Sequence, residues 1–350
     1  MKIASTGTAL PRHYYPQEVL IDAFRQHWGN KLERFAVLEH IHTATRVDGR
    51  YLVLPIESYP GLKRWGDANN IWLDAALELG QEAICKALDH GGIERQKVAA
   101  LFFVSITGIS SPSVDARLVN RMGLNRNIKR IPIFGLGCVA GAAGIARAAD
   151  YVKAFPDEVA VLLSVELCSL TLQQDDLSVA NLISVGLFGD GAAAVVLAGS
   201  NVANGASPEI VATRSIFYPN TEEVMGWDVS EKGFRIVLSR DVPVVVQDNL
   251  RRDADCFLAD HGLSRRDIGS WVIHTGGPRV LEAATEALEL PDGAIQASWD
   301  CLRKTGNLSS ASVLFVLDEV MKNRRPTPGT WGLLAAMGPG FCSELLLLKW

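Results

Sequence analysis

Short apolar runs alternate with segments of helical periodicity through most of this chain, and this alternation constrains the fold more than any other feature of the sequence. Buried strands are predicted at 98–106, 130–134 and 158–167, and helical patterns at 112–122 and 138–155 lie between or after them. Apolar strands joined by helices are typical of parallel strands with crossover helices. The sequence therefore predicts an α/β fold.

The second half of the chain has the same organisation, with predicted helices and strands at 243–261, 271–275, 278–289, 309–323 and 330–337. LFGDGAAAVVLAG (187–199) and MGPGFCSELLLL (337–348) both place a glycine-bracketed turn before a strand. We therefore predict two similar, pseudo-duplicated halves, residues 1–205 and 206–350, which form one inseparable unit.

Composition excludes several classes of protein. With 350 residues and 48% hydrophobic residues, the chain can bury a large core. A net charge of −5 without a basic run argues against nucleic-acid binding. No signal-peptide pattern and no apolar run of ~18 residues are present, so we predict a cytoplasmic protein without a membrane span. The six scattered cysteines form no CxxC pair, which predicts reduced thiols and no metal site.

Cys138 stands among glycines and alanines in FGLGCVAGAAGI, at a predicted strand-to-helix junction. Free amides and the helix dipole at such a junction favour a thiolate, and small neighbours would let a bulky thioester approach. A small buried cysteine that only fills the core is the alternative, because free cysteine is among the most buried residue types.

Two further polar residues lie in apolar surroundings. His274 ends the strand WVIH before the glycine turn of TGGPRV, where α/β folds commonly place functional groups. Asn307 lies in TGNLSSAS, a turn that leads into an amphipathic helix. A structural histidine and an ordinary turn asparagine are the alternatives.

Taken together, a cysteine, a histidine and an asparagine suit the formation of carbon–carbon bonds. The thiolate takes an acyl group from a thioester, and an imidazole with a side-chain amide stabilises the oxyanion of a thioester enolate. A hydrolase would instead favour a third group that activates water. The three residues therefore predict decarboxylative condensation.

The motifs GCVAGA, LFGDGAAAVV, HTGGP, GNLSSASVLFVLDE and GPG, in this order and spacing, resemble the chalcone synthase-related type III polyketide synthases. The resemblance runs from about Val98 to the C-terminus. It implies a thiolase-like αβαβα fold and a homodimer without a separate cofactor. It also implies condensation of an acyl-CoA starter with malonyl-CoA, followed by cyclisation.

The resemblance assigns residues to the site. Cys138 matches the acyl-accepting nucleophile, and His274 and Asn307 match the catalytic histidine and asparagine. The matches to the substrate cavity are Phe188 as first gatekeeper, Thr171, Ser309, and the loop Gly338, Pro339 and Gly340, with Ser111 lent to the partner's cavity. Arg34 and Arg279 match basic positions that contact CoA, although each could be a solvated surface charge.

Two positions depart from the plant pattern: Ile236 replaces the second gatekeeper phenylalanine, and Trp227 replaces a cavity glycine. The stretch SVELCSLTLQQDDLSVANLISVGLFGDG resembles the bacterial branch that makes alkylpyrones and alkylresorcinols. Ile236, Ser111 and Ala335 leave space for an alkyl tunnel. We therefore expect a medium- or long-chain fatty acyl starter.

Two alternatives are distinguishable from this interpretation. An initiating ketoacyl-acyl-carrier-protein synthase shares the fold and the three residue types, but usually carries Gln-Ala-Asn after the histidine, where this chain has Thr275, Gly276 and Gly277. A catalytically inactive homologue that only binds acyl groups should have lost one of the three residues. This chain keeps all of them.

Overall fold

The computed structural model describes residues 1–28, 35–202 and 207–350. Its strands are β1 (Lys2–Ala9), β2 (His13–Pro16), β3 (Gly49–Leu52), β4 (Val98–Val104), β5 (Lys129–Ile133), β6 (Val159–Leu167), β7 (Asp190–Ala198), β8 (Glu209–Phe217), β9 (Met225–Ser230), β10 (Gly233–Leu238), β11 (Ile268–Ile273), β12 (Trp331–Gly338) and β13 (Cys342–Lys349). Its α-helices are α1 (Gln17–Trp28), α2 (Phe35–Ala44), α3 (Trp65–Gly91), α4 (Val114–Met122), α5 (Ala140–Ala154), α6 (Val179–Leu187), α7 (Val242–Ala259), α8 (Pro278–Leu288), α9 (Gln296–Thr305) and α10 (Ser312–Asn323).

Within these ranges, nine strands form one sheet in the order β11-β12-β13-β8-β1-β7-β6-β4-β5. In one half, β4 is parallel to β5 and β6, and β7 and β1 follow antiparallel. In the other half, β11 and β12 are parallel, and β13 and β8 follow antiparallel. The halves meet where Lys2 of β1 pairs with Glu209 of β8.

Helices cover the sheet in layers. α3 and α4 pack on the outer face of the half that contains β1, β7, β6 and β4. α5 and α10 lie between the two halves and contact both of them. α7 and α8 cover the outer face of β11, β12 and β13. The result is five layers, α-β-α-β-α, as the sequence predicts.

The central helix α5 is built from small residues because it is packed on all sides. Alanine favours helix, and most of the residues of α5 are buried. A Cβ on Gly141 would lie 2.2 Å from the carbonyl oxygen of Ser310, and one on Gly144 would lie 2.6 Å from Leu162. Glycine at these positions therefore sets how closely α5 approaches its neighbours.

The structure refines several predicted boundaries. A 3-10 turn at Gly137–Val139 precedes α5, and a second at Ser309–Ala311 precedes α10. The hairpin of β9 and β10, which pairs Trp227 with Ile236, was not predicted because these two short strands pair only with each other and not with the main sheet. The predicted boundary at 205/206 lies outside the described residues. Among the helices that the structure describes, none has the length and apolarity needed to cross a bilayer.

Candidate active site

Cys138 lies in the Gly137–Val139 turn, against the segment that follows β12. Gly137 has φ 53, and a Cβ there would lie 2.8 Å from the ring of Pro339. A Cβ on Gly338 would lie 2.5 Å from the amide nitrogen of Val139. The glycines near the cysteine therefore serve close backbone packing more than they leave space for a thioester. Of the four glycines in FGLGCVAGAAGI, only Gly135 could take a Cβ without another atom within 4 Å.

Asn307 and Ser309 stand beside the cysteine. The Cys138 thiol donates to the Ser309 hydroxyl across 3.7 Å. The Asn307 side-chain oxygen accepts from the Ser309 amide at 2.8 Å and from the Ser312 hydroxyl at 3.1 Å. These two donors fix the amide plane, so that the NH₂ group is directed to the sulfur of Cys138, with a long 3.5 Å contact to the carbonyl of Gly276. The Asn307 NH₂ is thus available to donate to another acceptor.

His274 follows β11, and its amide donates to the carbonyl oxygen of Ala335 at 3.0 Å. The side chain is 5% exposed, and in the described part of the chain neither ring nitrogen has a hydrogen-bond partner. Burial lowers its pKa to about 4, so the imidazole is neutral at pH 7. A buried neutral ring with both nitrogens unpaired can accept one proton and donate another to a ligand.

The electrostatics of Cys138 differ from the expected thiolate. Burial raises the pKa of the thiol to about 12, and the negative charge of Glu166 acts in the same direction. Hydrogen bonds that Ser309, Asn307 and the cysteine's own amide can donate to the thiolate lower the pKa, but burial outweighs them. The resting site therefore holds a neutral thiol and a neutral imidazole, and nucleophilic attack requires removal of the thiol proton.

Two cavities meet at Cys138. The first, which we call the hydroxyl cavity, is lined by Ile106, Thr107, Gly137, Cys138, Cys168, Thr171, Ser184, Phe188, Met225, Gly226, Trp227, Ile236, Ser309 and Pro339. The second, the aliphatic pocket, is lined by Cys138, Met225, Val242, Val246, Leu250, Ile273, His274, Gly276, Val280, Ala284, Ala335, Ala336, Met337 and Phe341. Cys138 and His274 therefore line a common space, and the serine and threonine residues of the site line the first cavity only.

The structure brings together most of the residues that the sequence assigns to the substrate cavity. Those that line the hydroxyl cavity are Phe188, Thr171, Trp227, Ile236, Ser309 and Pro339. Gly338 packs behind Val139, and Gly340 approaches Phe217. Ser111 is exposed and lines neither cavity. Arg279 is exposed in the first turn of α8, and Arg34 lies outside the described residues.

Three buried residues near the site were missed from the sequence. Cys168 lines the hydroxyl cavity. Glu166 is fully buried at the end of β6 and accepts hydrogen bonds from the Ile106 amide at 3.1 Å and the Thr107 hydroxyl at 3.0 Å. Arg50, 3% exposed, donates to the carbonyl oxygen of Phe188 at 2.7 Å. A carboxylate at the end of an apolar strand is a signal that could have identified Glu166, whereas nothing local distinguishes Arg50.

The sequence matches one family over both halves. Residues 1–201 match the family described as "Chalcone and stilbene synthases, N-terminal domain", and residues 209–350 match "Chalcone and stilbene synthases, C-terminal domain". The chain belongs to the chalcone and stilbene synthase family. This result confirms the family resemblance: the protein is an acyltransferase, a type III polyketide synthase that condenses malonyl-CoA units iteratively. The family match favours this activity over that of an initiating ketoacyl-acyl-carrier-protein synthase.

Several named relatives of this synthase are bacterial. The chain is 51% identical to a 1,3,6,8-tetrahydroxynaphthalene synthase of Streptomyces peucetius subsp. caesius over 99% of its own length and 93% of the relative. It is 38% identical to a putative chalcone synthase of Bacillus subtilis (strain 168), with 99% and 98% covered. The crystal structure of the 1,3,6,8-tetrahydroxynaphthalene synthase of Streptomyces coelicolor A3(2) superposes with a TM-score of 0.95 at 31% identity, covering 100% and 99% of the two chains. The predicted thiolase-like fold is confirmed.

Proposed function

We propose that Cys138, His274 and Asn307 carry out the condensation. Cys138 attacks the starter thioester after its proton passes to His274, the C–S bond to CoA breaks, and His274 returns the proton to the departing CoA thiolate. Two observations support this step: both side chains line the aliphatic pocket, and both ring nitrogens of His274 lack a partner among the described residues. A neutral imidazole carries a lone pair that can accept the thiol proton.

His274 and Asn307 then act on malonyl-CoA. Loss of carbon dioxide leaves an electron pair that moves onto the thioester oxygen, and two hydrogen-bond donors stabilise this enolate. The Asn307 NH₂ is suited to be one donor, because its oxygen is fixed by Ser309 and Ser312. The enolate carbon attacks the acyl carbon on Cys138, the C–S bond breaks, and the Cys138 thiolate is ready to accept the lengthened chain again.

For the substrate, we propose malonyl-CoA as both starter and extender, with a compact polyhydroxylated aromatic product. The observation that carries this proposal is the lining of the hydroxyl cavity, where Trp227 occupies a cavity glycine position and Thr171, Ser184 and Ser309 belong to the wall around Cys138. A growing poly-β-ketone carries a carbonyl on every second carbon, and hydroxyl groups can bind those oxygens. The Trp227 ring is fixed by donation to the carbonyl of Ile106 at 3.0 Å.

The similar Streptomyces peucetius protein supports the same product class. Its name specifies a naphthalene that carries oxygen at alternating positions, the pattern left when two-carbon units from malonyl-CoA are joined head to tail. The proposal therefore rests on chemistry that the cavity and the relative share.

A second candidate keeps the fatty acyl starter expected from the sequence and an alkylpyrone or alkylresorcinol product. The aliphatic pocket favours it, because its walls are almost entirely side chains of Val, Leu, Ile, Ala, Met and Phe. Ala335 lies in this wall, as the proposed alkyl tunnel requires, whereas Ile236 lines the hydroxyl cavity. An acyl chain on Cys138 would extend into the pocket while the enolate approaches from the hydroxyl cavity.

Product mass distinguishes the two candidates. Purified protein is incubated with labelled malonyl-CoA alone, and in parallel with acetyl-, hexanoyl-, octanoyl-, dodecanoyl- or hexadecanoyl-CoA. We expect a polyhydroxylated aromatic from malonyl-CoA alone, with little change on adding acyl-CoA. Products whose mass includes the alkyl chain, formed in preference to the malonyl-only product, would overturn the first candidate and support the second. Replacing malonyl-CoA with malonyl-acyl-carrier protein tests whether the enzyme accepts malonyl groups from CoA or from the carrier protein.

The homodimer, with Ser111 contributed to the neighbouring cavity, and the CoA contacts of Arg34 and Arg279 stay predictions. The exposed position of Ser111 is compatible with a contact to a second copy. Sedimentation of the purified protein tests the dimer, and KM values for malonyl-CoA of Arg34→Ala and Arg279→Ala test the two arginines.

A further inference from the structure

A buried arginine lies behind the predicted gatekeeper, outside the residues that the sequence assigns to the site. Arg50 is in β3, and its side chain lines a cavity together with Cys168, Phe188 and Trp227. Its guanidinium Nη1 donates to the carbonyl oxygen of Phe188 at 2.7 Å. In the described part of the chain, its Nε has no hydrogen-bond partner. A buried cation is costly to desolvate, so its position needs a reason other than packing.

The peptide that Arg50 holds is joined directly to Asn307. Phe188 and Asn307 form an isolated parallel β-bridge. The Gly189 amide donates to the Asn307 carbonyl oxygen at 3.0 Å, and the Asn307 amide donates to the carbonyl oxygen of Leu187 at 2.9 Å. The segment that carries Phe188 and the segment that carries Asn307 are therefore hydrogen-bonded to each other as one unit.

Arg50 also touches this unit from both sides. A Cβ on Gly306, which has φ 70, would lie 3.1 Å from Cδ and 3.2 Å from Cγ of Arg50. A Cβ on Gly189 would lie 3.6 Å from the Arg50 Cβ. The aliphatic part of the Arg50 side chain thus packs against Gly306 and Gly189, and its guanidinium binds the carbonyl oxygen of Phe188.

A second buried charge, that of Asp190, favours the charged form of the arginine. Asp190, fully buried two residues after Phe188, accepts from the Val53 amide at 2.8 Å and the Ser169 amide at 2.8 Å. Its attraction offsets part of the burial that lowers the pKa of Arg50 to about 10, so the guanidinium remains charged at pH 7. The Phe188 carbonyl is therefore bound by a charged donor in a low-dielectric interior, which is a strong and directional contact.

We propose that Arg50 is a positioning residue for malonyl-CoA decarboxylation: by holding the Phe188 carbonyl, it fixes the Phe188–Asn307 bridge and hence the Asn307 NH₂ at the enolate oxygen. The inference rests on the role proposed above for Asn307. It assigns Arg50 no contact with substrate. Removing a hydrogen bond that only orients a group at the reacting centre typically lowers activity about 10- to 100-fold.

The test compares Arg50→Met, which keeps the stem without the charge, with Arg50→Lys, which keeps the charge and one donor. Carbon dioxide release from malonyl-CoA is measured as kcat and KM, and acylation of Cys138 by intact mass. We expect Arg50→Met to lower kcat for decarboxylation about 10- to 100-fold with KM within about twofold, and to lower acylation by much less. Arg50→Lys should recover part of the lost kcat.

Arg46→Met is the matched control, because Arg46 is nearby in sequence, exposed, and paired with Glu282 on the surface. It should leave both rates unchanged. Unchanged decarboxylation in Arg50→Met, or equal losses of decarboxylation and acylation in both Arg50 variants, would overturn the inference. If Arg50→Met does not fold, the rates of decarboxylation and of Cys138 acylation are compared in Arg50→Lys instead. Asn307→Ala is measured in parallel. Normal decarboxylation by Asn307→Ala would refute the role proposed for Asn307. Loss of decarboxylation in Asn307→Ala together with normal decarboxylation in Arg50→Met would refute the inference about Arg50 alone.

Discussion

The thiol of Cys138 contacts the hydroxyl of Ser309 across 3.7 Å, although the two residues are 171 positions apart in the chain. Ser309 has φ 48, a left-handed conformation that non-glycine residues rarely adopt, and its amide donates to the Asn307 side chain. A strained residue thus connects the nucleophile with the amide. Strain of this kind persists where the surrounding structure enforces it, and it is concentrated at functional sites.

The buried thiol of Cys138 predicts how its alkylation by iodoacetamide depends on pH. Burial raises the pKa of the thiol to about 12, so the thiolate is a small fraction that grows with pH through the neutral range. We expect the alkylation rate to rise by about tenfold per pH unit from about pH 6 to pH 9. His274→Gln should keep this slope, because the pKa of His274 is about 4 and its imidazole is neutral over the same range. A rate that reaches a plateau below pH 9 would contradict the raised pKa of Cys138.

Cys138→Ala and Asn307→Ala should separate decarboxylation from condensation. Cys138→Ala removes the acyl acceptor, so it should abolish condensation and retain some carbon dioxide release from malonyl-CoA. Asn307→Ala removes an enolate donor and should lose both, with a decrease of about 100-fold or more in decarboxylation. Carbon dioxide release and product formation are measured on the same samples. Cys301→Ala, on α9, is the control, and full decarboxylation by Asn307→Ala would refute its role.

Gly141→Ala should impair both stability and turnover. Its methyl group would lie 2.2 Å from the Ser310 carbonyl oxygen, so α5 must separate from the turn that carries Ser309. We expect a loss of about 1–3 kcal/mol in the free energy of unfolding and a large loss of condensation. Gly66→Ala is the matched control, because nothing lies within 4 Å of its Cβ position in α3. Equal denaturation midpoints of the two variants would contradict this account.

Glu166→Gln should change how stability depends on pH. Burial raises the pKa of Glu166 to about 7, above the ordinary value of 4.5, so the folded state holds its proton over an interval where the unfolded state has released it. The unmodified protein therefore loses stability from this group as the pH rises through that interval. Relative to it, Glu166→Gln should gain about 2–3 kcal/mol between pH 5 and pH 8. Urea unfolding at one protein concentration measures the difference, and a pH-independent difference would contradict the prediction.

Trp227→Ala should broaden the choice of starter. Removing the indole opens the hydroxyl cavity and leaves the Ile106 carbonyl without its donor. We expect products that incorporate octanoyl-CoA to increase roughly 10-fold relative to malonyl-only products. Trp65→Ala is the control, since Trp65 also packs against Phe234 but does not line this cavity. An unchanged product distribution would show that Trp227 does not limit the starter.

The order and type of most elements could be predicted from the sequence, because apolar periodicity and turn residues act locally. The strand that ends at Leu167 and the turn around Asn307 fall where the patterns place them, and β11 overlaps its predicted range of 271–275 but ends two residues earlier, at Ile273. The positions of Cys138, His274 and Asn307 at strand ends and turns follow from the same local signals. The hairpin that carries Trp227 and Ile236 escaped prediction because its two strands pair only with each other.

Only the tertiary structure decided what surrounds the cysteine. FGLGCVAGAAGI by itself determines a sharp turn that leads into a helix, but not what its small residues are for. Pro339 and Ser310, which come from distant parts of the chain, lie against Gly137 and Gly141, so these glycines serve packing. The same enclosure raises the pKa of Cys138 and lowers that of His274. The pKa of a buried group depends on every element that packs around it, so the residues next to Cys138 and His274 in the sequence do not fix these two pKa values.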